Sequence, residues 1–217
     1  MERFETLRSP ATPLLLRDVD TDVIIPMRRI VMLRSGEDLA RFAFEPLRYG
    51  PGGADGPLDP SCALDRPEYA ESRILIAGAN FGCGSSREPA VWAVKALGYR
   101  CVIAESFGDI FYKNCFQNAV LPIVLPAETV EALGAAASEP GAVFTVDLEA
   151  AALSTPDGRR IAFEVNPARR EQLLEGLDEI ALTLRRADRI AAFEEKDRAR
   201  RPWVHAPGAP AESPAGR

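Results

Sequence analysis

The residues with the greatest chemical potential lie together in Asn80–Glu88, which reads N-F-G-C-G-S-S-R-E. Two spaced glycines, Gly82 and Gly84, let the backbone turn tightly and approach a ligand closely. The stretch follows a predicted strand and leads into a predicted helix, whose first N–H groups and dipole favour an anion. Arg87 adds a planar cation that can grip a carboxylate in a fork. This pattern predicts a site for phosphate or carboxylate.

The same stretch also allows a simpler interpretation. Ser85 and Glu88 have the spacing of a capping box, in which each side chain bonds the backbone of the other. The chain has no Walker A loop, and Ser85 is not in a G-x-S-x-G elbow because Ser86 and Arg87 follow it. An anion site and a plain helix cap therefore both remain open.

Two further segments could contribute to a site. Alternating aspartates in Asp18–Pro26 suggest calcium, but an EF-hand loop would need glycine and glutamate where the chain has Val23 and Arg29. We therefore predict an Asx turn before a buried strand at Ile24, or alternatively a segment that orients a site loop. The following segment, residues 28–34 (R-R-I-V-M-L-R), is either an amphipathic surface or a site for a carboxylate and an alkyl group.

Cysteine and histidine are sparse. The single histidine, His205, lies near the C-terminus, which argues against a Ser-His-Asp triad. None of the cysteines forms a C-x-x-C pair, so zinc ribbons and thioredoxin-like sites are disfavoured, and we expect structural thiols. Counts alone leave a three-cysteine iron–sulfur site open. The four cysteines are Cys62, Cys83, Cys101 and Cys115.

The composition describes an ordinary globular chain of 217 residues with 47% hydrophobic and 27% charged residues. Its net charge of -6 argues against nucleic acid as a partner. The longest uncharged apolar stretches, Ile74–Ser86 and Asn114–Ala127, are shorter than the roughly 20 residues that span a bilayer. The N-terminus has no apolar signal region, so we expect a cytoplasmic protein without membrane contact.

Hydrophobic periodicity predicts alternating strands and helices, followed by a hairpin across the turn Pro156–Gly158. This order indicates an α/β fold of the β/β/α layered type, with a mixed sheet and flanking helices. We expect one domain over residues 1–201, a flexible Gly/Pro loop at about 50–61 and a disordered tail over 202–217. The predicted strands are Ile74–Ala77, Cys101–Glu105, Leu121–Leu125, Val143–Glu149 and Arg160–Val165, and the predicted helices are Arg87–Leu97, Phe107–Asn118, Thr129–Ala137, Pro167–Glu175 and Ala187–Arg200.

Three motifs in order carry a resemblance to a known family. These are D-x-D-T-D-x-I-I-P from Asp18, N-F-G-C-G-S-S-R-E from Asn80 and S-F-x-D-I-F-Y-x-N-C-F-x-N over Ser106–Asn118. Together they resemble the small subunit of 3-isopropylmalate dehydratase, which is related to the swivelling domain of aconitases. The resemblance runs from about Asp18 to about Arg200.

The resemblance implies a swivelling β/β/α domain that acts with a separate large subunit, which holds a [4Fe–4S] cluster. No cofactor or metal would bind to this chain. The pair would isomerise 2-isopropylmalate and 3-isopropylmalate in leucine biosynthesis by removing and re-adding water. By resemblance, Ser85 is the base, Ser86 and Arg87 bind substrate carboxylates, and the site loop is supported by Asp20, Thr21, Asp22, Asn80, Gly82, Gly84 and Glu88.

One residue and one loop leave the exact substrate open. The family usually reads S-R-E-H-A, whereas this chain has Pro89 in place of the histidine. By resemblance, residues 27–36 form the substrate-selecting loop, in which Arg34 would contact a carboxylate and Ile30, Val31 and Leu33 an isopropyl group. Arg28 and Arg29 are expected to be exposed. The alternatives are a related small subunit for citraconate and 2-methylmalate or for homoaconitate, and a non-catalytic anion-binding relative.

Overall fold

The structure is a computed structural model that describes residues 1–32, 39–85 and 87–205, apart from the side chain of Met32. Three of the predicted site residues, Leu33, Arg34 and Ser86, therefore lie outside the described residues. The chain divides into two compact units, Met1–Leu177 and Asp178–Arg217. The boundary falls inside the single domain that we predicted over residues 1–201.

The centre of the first unit is a four-stranded parallel sheet in the order β2-β3-β4-β5. The last three strands confirm the predicted apolar runs, and β3 and β4 are buried along their whole length because both faces of the sheet are covered. Its strands are β2 (Ala11–Leu14), β3 (Ile74–Ala77), β4 (Cys101–Ala104) and β5 (Leu121–Val124).

A second, antiparallel sheet has the order β1-β6-β7-β8. The predicted direct pairing of Val143–Glu149 with Arg160–Val165 is wrong, because β7 lies between β6 and β8 and pairs with both. The predicted turn Pro156–Gly158 instead joins β7 to β8. The strands of this sheet are β1 (Leu7–Ser9), β6 (Phe144–Asp147), β7 (Ala152–Ser154) and β8 (Arg160–Ala162).

The five predicted helices are confirmed with ends shifted by one or two residues at most. They are α5 (Glu88–Ala96), α6 (Asp109–Gln117), α7 (Ala127–Ala137), α8 (Pro167–Glu175) and α10 (Ala187–Arg200). Short helices that the periodicity did not predict are α1 (Thr21–Ile24), α2 (Met27–Met32), α3 (Leu39–Phe42), α4 (Glu45–Arg48) and α9 (Glu179–Leu184). No described helix is both long enough and apolar enough to cross a membrane.

The predicted strand at Ile24 is wrong, because this residue ends helix α1. The Asp20 carboxylate accepts a hydrogen bond of 2.8 Å from the Val23 backbone N–H and so caps the helix. Ile24 and Ile25 are fully buried. A short, completely buried apolar pair does not distinguish a strand from a helical turn, and here the aspartate cap decides.

Two apolar clusters cover the two faces of the parallel sheet. Ile74 and Ile76 of β3 belong to the cluster that also contains Phe144 of β6. Leu75, between them, belongs to the opposite cluster, which includes Val91 of α5. The alternation of side chains along β3 thus places the antiparallel sheet, together with α7, on one face and α5 on the other. This confirms the predicted β/β/α layers, with parallel and antiparallel pairing in separate sheets.

The predicted Gly/Pro loop at residues 50–61 contains one 3-10 turn, Gly53–Asp55, that contacts a buried carboxylate. The Glu45 side chain is only 2% exposed. It accepts hydrogen bonds from Arg29 at both oxygens, from Arg28 Nη2 at 3.1 Å and from the Ala54 backbone N–H at 3.1 Å. The hydrogen bond from Arg29 is the main cause that lowers the pKa of Glu45 to about 2. Glu45 thereby anchors α2 to the loop.

The second unit contains α9, α10 and a 3-10 turn at Pro202–Val204, where the composition predicts the start of the tail. The Asp197 carboxylate accepts a hydrogen bond of 2.7 Å from Arg201 Nε and lies 2.9 Å from His205 Nε2. These contacts connect the turn to the end of α10. Residues 206–217 of the predicted tail lie outside the described part of the chain.

Replacement of Glu45 by glutamine tests the α2 anchor through the pH dependence of stability. The folded pKa of about 2 lies below the ordinary value of 4.5, so the stabilisation is present above about pH 4.5 and is lost as the pH falls toward about 2. We expect Glu45→Gln to lower the free energy of unfolding near neutral pH by about 1.5–3 kcal/mol, as for hydrogen bonds to charged groups. The variant should also lose stability less steeply than the wild type between about pH 5 and about pH 3.

The measurement is urea unfolding of the full chain at a series of pH values. Glu128→Gln, which removes an exposed glutamate from the first turn of α7, controls for the loss of one negative charge. If the curves of Glu45→Gln and the wild type run parallel over the acid range, Glu45 does not anchor α2 as an ionised group.

Candidate active site at the carboxyl edge of the parallel sheet

The three sequence motifs follow β2, β3 and β4, so parallel pairing brings them to one edge of the sheet. Backbone hydrogen bonds join the first motif to the second: the Gly82 N–H donates to the Val19 carbonyl at 2.7 Å, and the Thr21 N–H donates to the Cys83 carbonyl at 3.0 Å. A single parallel bridge pairs Asp20 with Cys83 in the same place. The motifs thus continue the strand order of the sheet beyond the strands themselves.

The second motif is joined to the third in the same way. The Phe81 N–H donates to the Ser106 carbonyl at 3.0 Å, and the Gly108 N–H donates to the Phe81 carbonyl at 2.9 Å. Asn80, which has a positive φ of 57°, lies between the first and third motifs. Its Nδ2 donates to Asp18 Oδ1 at 2.8 Å, and its backbone N–H donates to Ser106 Oγ at 2.8 Å. Asn80 therefore connects the first motif to the third.

The helix-cap interpretation of Ser85 and Glu88 is wrong, and Ser106 does not cap the next helix either. The Ser106 hydroxyl accepts the bond from Asn80, and the N-cap of α6 is Gly108. The N-cap of α5 is Arg87, whose side chain makes no capping hydrogen bond, so the capping box of Ser85 and Glu88 does not form. In both cases the helix begins later than a serine cap would require, and its N-cap lies two residues beyond the serine. The loop between strand and helix is longer because its backbone is used to join the motifs.

Gly82 has no space for a side chain. Its φ is +73°, and a Cβ placed there would lie 2.3 Å from the Phe111 ring in the first turn of α6. Gly84, also at positive φ, packs close to Asp20, whose Cβ would be 3.2 Å from an added Cβ. The loop thus lies directly on α6 and α1, and Ser85, which follows it, is exposed to solvent.

Arg87 forms a forked ion pair with Asp22. Nη1 donates to Oδ1 at 3.0 Å and Nη2 donates to Oδ2 at 2.8 Å. The Arg87 side chain is 18% exposed, whereas that of Asp22 is 54% exposed. The hydrogen bond from Arg87 lowers the pKa of Asp22, and the same bond raises the pKa of Arg87. The guanidinium is therefore held in the geometry in which it binds carboxylates.

Two of the predicted alkyl-contacting residues, Ile30 and Val31, lie on α2. Val31 is 78% exposed, while Ile30 packs partly against the apolar cluster of α5. The expectation that Arg29 is exposed is wrong, because only 19% of its side chain is accessible and both Glu45 oxygens accept its hydrogen bonds. Arg28 remains 64% exposed. The forked donor face of Arg29 is thus occupied by Glu45.

The cysteines behave as structural thiols. Cys62, Cys101 and Cys115 are buried, and burial raises the pKa of each. Burial, together with Asp20 and Asp18, also raises the pKa of Cys83. Within residues 1–32, 39–85 and 87–205, no group of three His, Cys, Asp or Glu side chains could hold a metal ion. An iron–sulfur cluster requires several thiolates that converge on one point, so the described residues do not fit one.

Sequence reasoning missed three residues that contact the site or its neighbours, namely Asn118, Trp92 and Glu45. Glu88 Oε1 accepts a hydrogen bond of 3.1 Å from Asn118 Nδ2, and Asn118 Oδ1 accepts one of 3.0 Å from Trp92 Nε1. Glu45 is the third, through Arg29. Asn118 ends the third motif, which was the one available signal. Trp92 and Glu45 lie outside all three motifs, and their partners are distant in sequence.

Three models of known protein families match successive parts of the chain. The family model described as the aconitase C-terminal domain matches residues 1–128. The model described as LeuD_N matches residues 131–167. A third model, described as the C-terminal domain of the 3-isopropylmalate dehydratase small subunit, matches residues 179–206.

Named relatives cover almost the whole chain. Over 206 residues, the chain is 51% identical to the 3-isopropylmalate dehydratase small subunit of Rhodospirillum centenum, covering 94% of this chain and 99% of that relative. The small subunit of Paramagnetospirillum magneticum is 49% identical, with 94% and 100% covered. A crystal structure of 3-isopropylmalate dehydratase from Methanocaldococcus jannaschii has a TM-score of 0.62 and 27% identity, over 86% of this chain and 99% of that one. The chain belongs to the family of 3-isopropylmalate dehydratase small subunits.

Proposed function

We propose that this chain is the small subunit of a hydro-lyase that interconverts 2-isopropylmalate and 3-isopropylmalate by removal and re-addition of water. Its relatives carry that name, and a small subunit implies a large-subunit partner. The observation that supports the activity best is the exposed Ser85 beside the forked Arg87–Asp22 pair, at the edge where three motifs meet. The described cysteines do not fit a [4Fe–4S] cluster, so we assign the cluster to the large subunit and derive no step through it.

Arg87 binds a substrate carboxylate in this proposal. A guanidinium has five N–H groups, and Asp22 accepts hydrogen bonds from two of its nitrogen atoms, so further donors can serve a second carboxylate. Asp22 holds the side chain in place before the substrate arrives, which lowers the cost of ordering a long side chain on binding. The carboxylate contact of Ser86, which lies outside the described residues, is part of the same proposal.

Ser85 transfers the proton in this proposal. Its Oγ takes the proton from the carbon next to the substrate carboxylate when water leaves, and returns it in the reverse direction. A neutral hydroxyl is a poor base, so Ser85 acts as the alkoxide after its own proton has left to solvent, and the proton taken from carbon restores the hydroxyl. Nearby positive charge stabilises the alkoxide. Arg87 lies two residues further along the chain, and the first N–H groups of α5 follow it. The substrate carboxylate and Ser85 would share this positive environment.

Two features favour an isopropyl group over a third carboxylate. The exposed Val31 offers an apolar contact within the proposed substrate-selecting loop. Arg29, which could have bound an extra carboxylate, is neutralised by Glu45. A tricarboxylate such as homoaconitate would therefore have to use cations other than Arg29. Arg34, which we expect to contact a carboxylate, lies outside the described residues. Citraconate remains the closer competitor, since a hydrophobic pocket separates methylene groups by only about 1–3 kcal/mol.

The direct test is an anaerobic hydration assay of this chain reconstituted with the iron–sulfur large subunit from the same genome. Loss of alkene absorbance is followed for isopropylmaleate, citraconate and cis-aconitate in parallel. We expect the highest kcat/KM for isopropylmaleate and no turnover by the isolated small subunit. Preference for another alkene would move the chain to a related reaction. An intact complex that is inactive on all three would indicate a non-catalytic anion-binding relative.

Removal of the Ser85 hydroxyl tests the proposed base. In the reconstituted complex, we expect Ser85→Ala to lower kcat by at least about 100-fold, because a positioned acid–base group contributes that much or more. Gel filtration should show unchanged assembly with the large subunit. Ser61→Ala, which removes an exposed hydroxyl from a distant loop, is the matched control and should retain wild-type kcat. A kcat of Ser85→Ala close to that of the control would exclude Ser85 as the base.

Exchange of Arg87 for lysine tests the carboxylate fork. An ammonium cannot form two parallel hydrogen bonds, so we expect kcat/KM for isopropylmaleate to fall by about 10–100-fold with the complex intact. Arg159→Lys is the control, because Arg159 also pairs with an aspartate, Asp157, but on the exposed β7–β8 turn. If both lysine variants keep the wild-type kcat/KM, Arg87 does not bind the substrate.

A further inference from the structure

Asn118, the C-terminal cap of α6, connects two residues of α5 through its side-chain amide. Nδ2 donates to Glu88 Oε1 at 3.1 Å and to the Asn114 carbonyl at 2.9 Å. Oδ1 accepts a hydrogen bond of 3.0 Å from the Trp92 indole Nε1. Both amide hydrogens and one oxygen lone pair are therefore used, and the network joins the end of α6 to the first turn of α5.

The orientation of this amide is fixed by its partners. An indole N–H can only donate, so it must face the amide oxygen. A backbone carbonyl and a carboxylate can only accept, so Asn114 and Glu88 must face the amide nitrogen. A flipped amide would lose these hydrogen bonds and bring oxygen atoms together. Trp92 thereby directs the donating end of Asn118 toward Glu88.

The first turn of α5 depends on contacts of this kind. The N-cap residue of the helix, Arg87, makes no side-chain capping hydrogen bond, and Pro89 at the second helical position has no backbone N–H to donate. The preceding loop turns at Gly82 and Gly84, which both have positive φ. Arg87 lies between that loop and the helix. On its other side, Asp22 binds the guanidinium itself but is 54% exposed.

We propose that Asn118 is a positioning residue for the reaction: through Glu88 it fixes the first turn of α5 and so the place of the Arg87 guanidinium. This rests on the proposed function, in which Arg87 binds a substrate carboxylate. Asn118 touches neither the substrate nor the reacting atoms. Its loss should therefore weaken substrate binding more than it slows the chemical step.

Replacement of the Asn118 amide donor by an acceptor tests this positioning role in the reconstituted complex, with isopropylmaleate as the substrate. Asn118→Asp keeps the size of the side chain and the acceptor for Trp92, but it places a carboxylate against Glu88. We expect KM to rise about tenfold while kcat stays within about twofold, the signature of lost binding that is common to ground and transition state. In the double variant Asn118→Asp with Glu88→Gln, the new amide can donate to the aspartate, and KM should return to within about twofold of wild type.

Three further variants separate positioning from folding. Glu88→Gln alone keeps an acceptor for Asn118 and should raise KM less than Glu88→Ala, which should raise KM about as much as Asn118→Asp does. Glu128→Gln on α7 controls for loss of a glutamate from a first helical turn. If Asn118→Asp does not fold, Glu88→Ala and the indole variant Trp92→Phe carry the test, since both change side chains that reach the surface.

A second measurement does not depend on turnover. Amide hydrogen exchange of residues 87–91 should be faster in Asn118→Asp than in wild type and should slow again in the double variant. An active wild-type complex with an unchanged KM in both Asn118→Asp and Glu88→Ala would overturn the positioning role, as would failure of the double variant to recover KM. An inactive wild-type complex whose exchange still responds to these variants would instead overturn the proposed reaction alone.

Discussion

The site depends on the hydrogen bonds that join the loops beyond the carboxyl edge of the parallel sheet. Parallel strands need long connections, so their ends are usually followed by separate loops. Here the Gly82 N–H donates to the Val19 carbonyl across one gap, and the Gly108 N–H donates to the Phe81 carbonyl across the next. The loops thereby behave as an extension of a rigid sheet. The proposed roles of Ser85 as base and of Arg87 as carboxylate ligand need such support, because small displacements cost large factors in rate.

Two carboxylates determine which arginines are available to a ligand. Glu45 is buried and takes up the forked donors of Arg29, which removes that cation from the site. Asp22 is more than half exposed and leaves further donors of Arg87 for a ligand. Buried and exposed partners thus have different consequences: the buried pair is costly to separate, whereas the exposed pair can be rearranged by an incoming carboxylate.

Pro89 is compatible with this architecture because proline is tolerated in the first turn of a helix, where the N–H would have no intrahelical acceptor. Helix α5 forms with Pro89 in its first turn and packs its apolar face, including Ala90 and Val94, against the sheet. The helix start is fixed from outside, through Asn118 on one side and Asp22 on the other. Contacts from other elements therefore hold the start of α5 in place, although Pro89 replaces the usual residue of the motif.

The sequence by itself determined the three buried parallel strands β3, β4 and β5, the long helices and the motif with Ser85 and Arg87, because apolar runs, periodicity and glycine spacing are local signals. Only the tertiary structure decided that Ser85 and Glu88 do not form a cap, that Arg29 is neutralised by Glu45 and that Asn118 meets Glu88. Each of these outcomes joins residues from different elements. A side chain's partner depends on which segments the sheet brings together, and no pattern within one segment contains that information.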